Sequence, residues 1–272
     1  MGIGGAFTPP LIAWIMVNWG WRLSFIVCGL LGLLVAAVWH LRSAEEPEQH
    51  ASVNAAELAI IAADRSAAAP PRPFPWRRIV QSASVPALMI ANFMLGYVTY
   101  IFYTWFFLYL VNVRKMPLIA GSYWSTAPFL AMLIGAPVGG TVSDWMVRRF
   151  GHVWGRRIPV LIAVNTSCVL LVVGSRTDDP HVAVLLLAFA AGCNSVAAVS
   201  SWTLPNDLSD RYSGFLAGIL NTATNLGGAL SPVLTPILAA RLGWVGALDV
   251  AAAQMLCIGL LWLLVRAERQ FD

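Results

Sequence analysis

The chain alternates long apolar runs with short polar connectors. A membrane-spanning helix needs about 20 mostly apolar residues. On that measure the pattern predicts eight spans, over residues 2–18, 23–41, 84–112, 118–144, 157–175, 181–203, 213–240 and 244–266. Asn18-Trp19-Gly20-Trp21-Arg22 reads as a tight turn closing the first. A polar, Pro- and Ala-rich connector fills 42–78, and a second runs from Gly140 to Arg157, where four arginines and one aspartate crowd together. Pro9, Pro10, Pro86, Pro128, Pro137, Pro232 and Pro236 fall inside the apolar runs. Membrane helices tolerate such prolines because neighbours re-satisfy the backbone.

Composition agrees with the pattern. Charged residues make up 11% of the chain and hydrophobic ones 58%, with a mean hydropathy of +0.72. Soluble domains are about 25% charged. The expected fold class is an all-α, polytopic membrane protein. A net charge of +4 could suit nucleic acid, but the basic residues sit in connectors, where membrane orientation accounts for them; no nucleic-acid partner is expected. The chain opens apolar, with no basic flank, so no cleavable signal peptide is expected and the start reads as mid-helix. Cys28, Cys168, Cys193 and Cys257 lie in apolar runs without a CxxC spacing and read as small buried hydrophobes. His40, His50, His152 and His181 show no ligand spacing, so neither a metal site nor a cofactor is expected.

Short cytoplasmic loops collect Lys and Arg. If 42–78 is cytoplasmic, the outer side holds Arg22, Arg114, Lys115, Arg176 and Arg241. The rest of the 17 basic residues, Arg65, Arg72 and Arg269 among them, fall inside. The C-terminus then faces the cytoplasm of a cell whose inner membrane holds the chain.

Gly140-x-x-x-Asp144 at a helix end, followed by Arg148, Arg149, Arg156 and Arg157, resembles the inter-helix motif of the major facilitator superfamily. Its long form, with eleven residues from 145 to 155 before Arg156, resembles the anion:cation symporter branch, carriers of organic anions and sugar acids. Three further stretches resemble that branch: Gly20-Trp21-Arg22-x-x-Phe25, the segment from Pro47 through Glu57 to Ile60, and Leu204-Pro205-x-Asp207 followed by Gly214, Gly218, Asn221, Asn225, Gly228 and Pro232. The resemblance implies that the eight spans correspond to helices five to twelve of a twelve-helix carrier, truncated at its N-terminus. Residues 1–41 would be the last two helices of the N-terminal bundle, 42–78 the cytoplasmic central loop, and 79–272 the C-terminal six-helix bundle.

Roles follow from the same resemblance. Asp144, with Gly140 and the four arginines around it, would latch one bundle to a helix of the other, where a carboxylate interacts favourably with a helix N-terminus. Gly214 and Gly218 form a small-xxx-small pair that suits close packing. Asn221 and Asn225 share a helix face, and an amide in hydrocarbon calls for a partner or a cavity. Tyr97 and Tyr100 lie near mid-span, where their hydroxyls need partners. Tyr103, Trp105 and Tyr109 read as an interfacial aromatic belt. Ser201 and Trp202 belong to a polar patch with Asn194, Ser195 and Ser200, Trp202 suiting a belt or a cavity equally. The candidate substrate contacts are thus Tyr97, Tyr100, Asn221, Asn225, Trp202 and Ser201.

No Asp, Glu, Lys or Arg falls near the middle of a span; Asp207 and Asp210 sit at a cytoplasmic end, and Asp249 lies just inside the outer end of the last helix. Ion-coupled carriers usually place ionisable relays inside the bundle. Two readings therefore stand: a secondary transporter taking small organic anions, with H+ as the coupling ion and a monomer when full length, or a carrier fragment inactive alone. An enzyme would need buried nucleophiles, paired carboxylates or His clusters, and a channel a filter loop or rings of charge; the sequence offers neither.

Overall fold

The computed structural model describes residues 2–50, 52–64, 75–209, 211–268 and 271. Arg65, Arg72, Asp210 and Arg269 of the sequence reading lie outside these. Every regular element among the described residues is helical. They are α1 (Gly2–Trp19), α2 (Trp21–Arg42), α3 (Ala55–Asp64), α4 (Trp76–Gln81), α5 (Ser84–Thr104), α6 (Phe106–Leu108), α7 (Leu118–Trp124), α8 (Ala127–Arg176), α9 (Pro180–Leu208) and α10 (Ser213–Trp262), with a 3-10 turn at Pro47–Gln49 and a π turn at Tyr109–Val113.

Two 50-residue helices are each a pair of spans. α8 breaks at Gly151 (φ 77°, ψ 170°) and α10 at Gly243 (φ 74°, ψ 169°). A side chain in that region of backbone space is heavily penalised, so glycine makes a one-residue corner where a loop would otherwise be needed. The arms are 127–150 and 152–176 in α8, 213–242 and 244–262 in α10. Five helices of the described residues, α2, α5, α7–α8, α9 and α10, are long and apolar enough to cross a membrane. Pro137 and Pro159 lie inside α8, Pro205 inside α9, Pro232 and Pro236 inside α10.

The chain divides into two compact units. One comprises Trp14–Pro75 and holds the rest of α1, α2 and α3; in it α2 is almost wholly exposed, with Ser24 buried. The other comprises Met1–Ala13 and Trp76–Asp272. In this larger unit α8 packs most extensively on α9, and α10 on α5. Leu88 and Val98 of α5, Val160, Val164 and Leu171 of α8, Leu187 and Leu204 of α9, and Met255 and Ile258 of α10 are buried in its core.

Small residues bring these helices together. A β-carbon on Gly96 would strike the backbone carbonyl of Thr224, and one on Gly227 the carbonyl of Phe93, so α5 and α10 cross nearly backbone to backbone. α8 and α9 do the same where Gly135 would meet the carbonyl of Gly192 at 2.5 Å and Gly139 the Cα of Val196 at 2.9 Å. The small-xxx-small expectation thus falls on different glycines. Gly214 and Gly218 have no atom within 4 Å of a β-carbon, because α10 turns Gly227 rather than these toward α5.

Other expectations change as well. None of the four cysteines is fully buried: Cys28 and Cys257 are exposed, Cys168 and Cys193 half-buried. Apolar helices that present an outer face to lipid need no burial to accommodate a thiol. The span expected over 84–112 is helical to Thr104 and then interrupted. A π turn opens at Tyr109, which is 4% exposed and accepts a hydrogen bond from Arg114 Nε at 2.8 Å, so it is no belt residue. Tyr103 stays exposed and Trp105 is half-buried.

Candidate functional site

The connector expected between 145 and 156 is helical except at Gly151. The corner alone does not close the site. Gly155, one turn on, lies against the backbone of Met146 and Val147, leaving no room for a side chain. That crossing swings the second arm of α8 across the first and delivers Arg156 back toward Asp144.

Arg156 is the centre of the charge cluster. Its NH1 donates to Asp144 Oδ1 at 2.8 Å and to Ser143 Oγ at 3.0 Å, while Nε donates to Asp207 Oδ2 at 2.9 Å. The Arg156 and Asp207 side chains are 10% and 13% exposed, and that of Asp144 is 59% exposed. One guanidinium thus ties both arms of α8 to the end of α9. Burial is costly for ions unless they are paired; the buried partner is Asp207, and the carboxylate left in the open is Asp144.

The neighbouring arginines behave differently. Arg157 donates Nε to the carbonyl of Val265 at 2.7 Å and lies over the Trp154 ring at 5.4 Å, pinning the chain beyond α10. Arg148 and Arg149 are exposed. Gly140 needs no special space, since a β-carbon would find its nearest neighbour, Val199, at 3.8 Å.

A second group of charges sits at the far end of the same arm. Arg114 donates to the carbonyls of Gly174, Ser175 and Thr177, capping the C-terminus of α8 where carbonyls lack helical partners. Arg176 holds Asp249 with both terminal nitrogens, at 2.7 and 2.8 Å. Arg156 and Arg176 lie about 30 Å apart at about 1.5 Å per residue, which matches a hydrocarbon core of about 30 Å.

Of the candidate substrate contacts, the structure gathers some and separates others. Asn221 and Asn225 are both exposed on α10, and Asn225 Nδ2 donates to the carbonyl and to Oδ1 of Asn221 at 2.9 and 2.8 Å. Gly228 continues this stripe, and the Tyr100 ring rests on it: a β-carbon there would come within 2.6 Å of the ring. Tyr100 tilts against Tyr103 at 5.5 Å, and Tyr103 stacks on Phe129 of α8 at 5.5 Å and 12°. The result is an amide pair beside a three-ring shelf. Tyr97 instead points into the α5–α10 crossing, 3% exposed, with its hydroxyl 3.1 Å from Thr235 Oγ1. Ser201 is buried with no partner for its hydroxyl among the described residues, and Trp202 next to it is 44% exposed. Asn194 donates to Thr99 Oγ1 at 2.6 Å, joining α9 to α5.

The residues that sequence reasoning left out are Asp207, Ser143 and the shelf partner Phe129. Asp207 is one of 13 acidic residues in the chain and lies two positions after Pro205 in the Leu204-Pro205-x-Asp207 motif. Among the described residues no group of His, Cys, Asp or Glu could hold a metal ion.

The Major Facilitator Superfamily model matches residues 1–232. The probable galactarate/D-glucarate transporter of Bacillus subtilis is 28% identical over 237 residues, covering 83% of this chain and 51% of that protein. The probable sulfoacetate transporter of Cupriavidus necator is 29% identical, covering 89% of this chain and 56% of that protein. The D-galactonate transporter of Escherichia coli is 26% identical, covering 97% and 63%. The chain spans about half the length of the first curated relatives it matches. These relatives are transporters, not enzymes.

Proposed function

We propose that this chain, which belongs to the Major Facilitator Superfamily, acts in secondary active transport of small organic anions such as sugar acids, by alternating access and with proton symport. The observation that carries the reading is the Asn221–Asn225 pair, two amides set on an apolar helix beside the rings of Tyr100, Tyr103 and Phe129. Amides supply the donors that a carboxylate and a run of hydroxyls need, and rings offer a flat apolar wall. The relatives are named for galactarate/D-glucarate, sulfoacetate and D-galactonate, all small organic anions and all but sulfoacetate sugar acids.

In this reading residues 79–272 form the C-terminal bundle, 1–41 supply two helices of the other, and 42–78 joins them. The Arg156 end faces the cytoplasm, with the C-terminus, and Asp144 is the exposed carboxylate that engages the opposing bundle. Tyr97 and Ser201, both turned inward, support the wall of the site, while Trp202 is available at a surface.

Equilibrium binding to the purified chain tests the proposal. Labelled D-glucarate binds in competition with galactarate and galactonate, and Asn225→Ala weakens it. Binding untouched by both Asn225→Ala and Tyr100→Phe contradicts the site. In a second reading the chain alone binds without carrying: no Asp, Glu, Lys or Arg falls near the middle of a predicted span, where ion-coupled carriers usually place their relays. Saturable binding with no uptake into liposomes is its signature.

A further inference from the structure

At the Arg156 end, two crevices lie outside the charge cluster. One, of about 440 Å³, opens between the Gly151 corner and the chain beyond α10, and the other, of about 510 Å³, between that chain and the start of α5. Arg157, Arg266 and Glu268 line both. Arg157 spends its Nε on the Val265 carbonyl, and its two terminal nitrogens donate to no described residue. The guanidiniums of Arg157 and Arg266 and the carboxylate of Glu268 thus line one trough, with the terminal nitrogens of Arg157 available to an anion.

The rim of the trough is apolar. Phe150, Trp154, Leu263 and Leu264 are 52%, 52%, 45% and 54% exposed, and the Trp154 ring lies under Arg157. Tryptophan beside arginine is the pairing of a membrane interface. The trough also lies about one hydrocarbon thickness from the Arg176–Asp249 pair, at headgroup level. A small soluble anion would use the guanidiniums and leave the rim idle. A phospholipid uses both, its phosphate in the trough and its chains along the rim.

We infer that the trough lined by Arg157 and Arg266 binds the phosphate headgroup of an anionic phospholipid, with the acyl chains laid over Phe150, Trp154, Leu263 and Leu264. Arg157 donates bidentately to the phosphate, Arg266 adds charge, and Glu268 opposes it. The site is independent of the substrate stripe and stands or falls separately from the transport reading.

The test is retention of lipid by the full chain, reconstituted in nanodiscs of mixed phosphatidylglycerol and phosphatidylcholine and released into native mass spectrometry. Wild type retains phosphatidylglycerol preferentially. Arg266→Gln, which leaves the backbone contact of Arg266 with Ser84 intact, lowers that retention about fivefold. Glu268→Gln raises it, a change in the opposite direction that misfolding cannot mimic. Equal retention of the two lipids, or equal retention by all three proteins, overturns the inference. Displacement of the lipid by millimolar inorganic phosphate also overturns it, by showing a soluble-anion site.

Discussion

Arg156 Nε holds Asp207 Oδ2 at 2.9 Å across 51 positions of the chain, and both side chains are close to nine-tenths buried. The same guanidinium reaches Asp144, whose carboxylate stays open to solvent. The two acids are thus unequal partners of one cation. Asp207 fixes the guanidinium within the fold; Asp144 is set at its outer edge.

This inequality is measurable as stability. Removing one partner of a buried pair strands a charge and costs about 3–5 kcal/mol, whereas an exposed pair contributes about 0–1 kcal/mol. Asp207→Ala is expected to lower the thermal midpoint of the detergent-solubilised chain far more than Asp144→Ala. Equal losses would show that the cluster is not organised around Asp207.

The Gly151 corner predicts a second contrast. Gly151→Ala forces a side chain into a backbone region that costs on the order of 1–3 kcal/mol, and it misplaces Arg156 as well. Gly140→Ala meets its nearest neighbour at 3.8 Å and is expected to be tolerated. Denaturation midpoints of the two variants compare them directly. A Gly151→Ala protein as stable as Gly140→Ala would mean that the corner is not set by the glycine.

How far this was legible in the sequence depends on distance along the chain. The spans were readable because apolar length is a local property, and α8 and α10 ended close to the expected limits. Gly151 was visible as part of a polar connector, yet Trp145 to Phe150 contain no helix breaker, so the helix runs on to the glycine. Asp207 could not be assigned to Arg156, because only the packing of α9 on α8 brings the two together. The close-packing glycines were misplaced for the same reason: Gly214 and Gly218 have the right spacing, but α5 and α10 meet at Gly96 and Gly227. Tyr109 reads as belt by position, but it is buried against Trp244 and accepts from Arg114, contacts that only the packed fold reveals.

The tyrosines separate structure from binding. Tyr97 makes a buried hydrogen bond to Thr235, so Tyr97→Phe should lose about 1 kcal/mol of stability and leave substrate affinity unchanged. Tyr100→Phe and Asn225→Ala should keep stability and lower affinity for a sugar acid, by a few-fold to about tenfold per lost hydrogen bond. Thermal midpoints and competition binding on the same preparations resolve the two classes. Loss of affinity in Tyr97→Phe alone would move the site into the α5–α10 crossing.

The most direct measurement of the central claim is uptake of labelled D-glucarate into liposomes containing the chain, with an inward proton gradient. Proton-coupled transport predicts accumulation above equilibrium that excess galactonate suppresses, that a protonophore abolishes, and that Asn225→Ala diminishes. Uptake indifferent to the gradient and to Asn225→Ala, or no uptake beside intact binding, would contradict it.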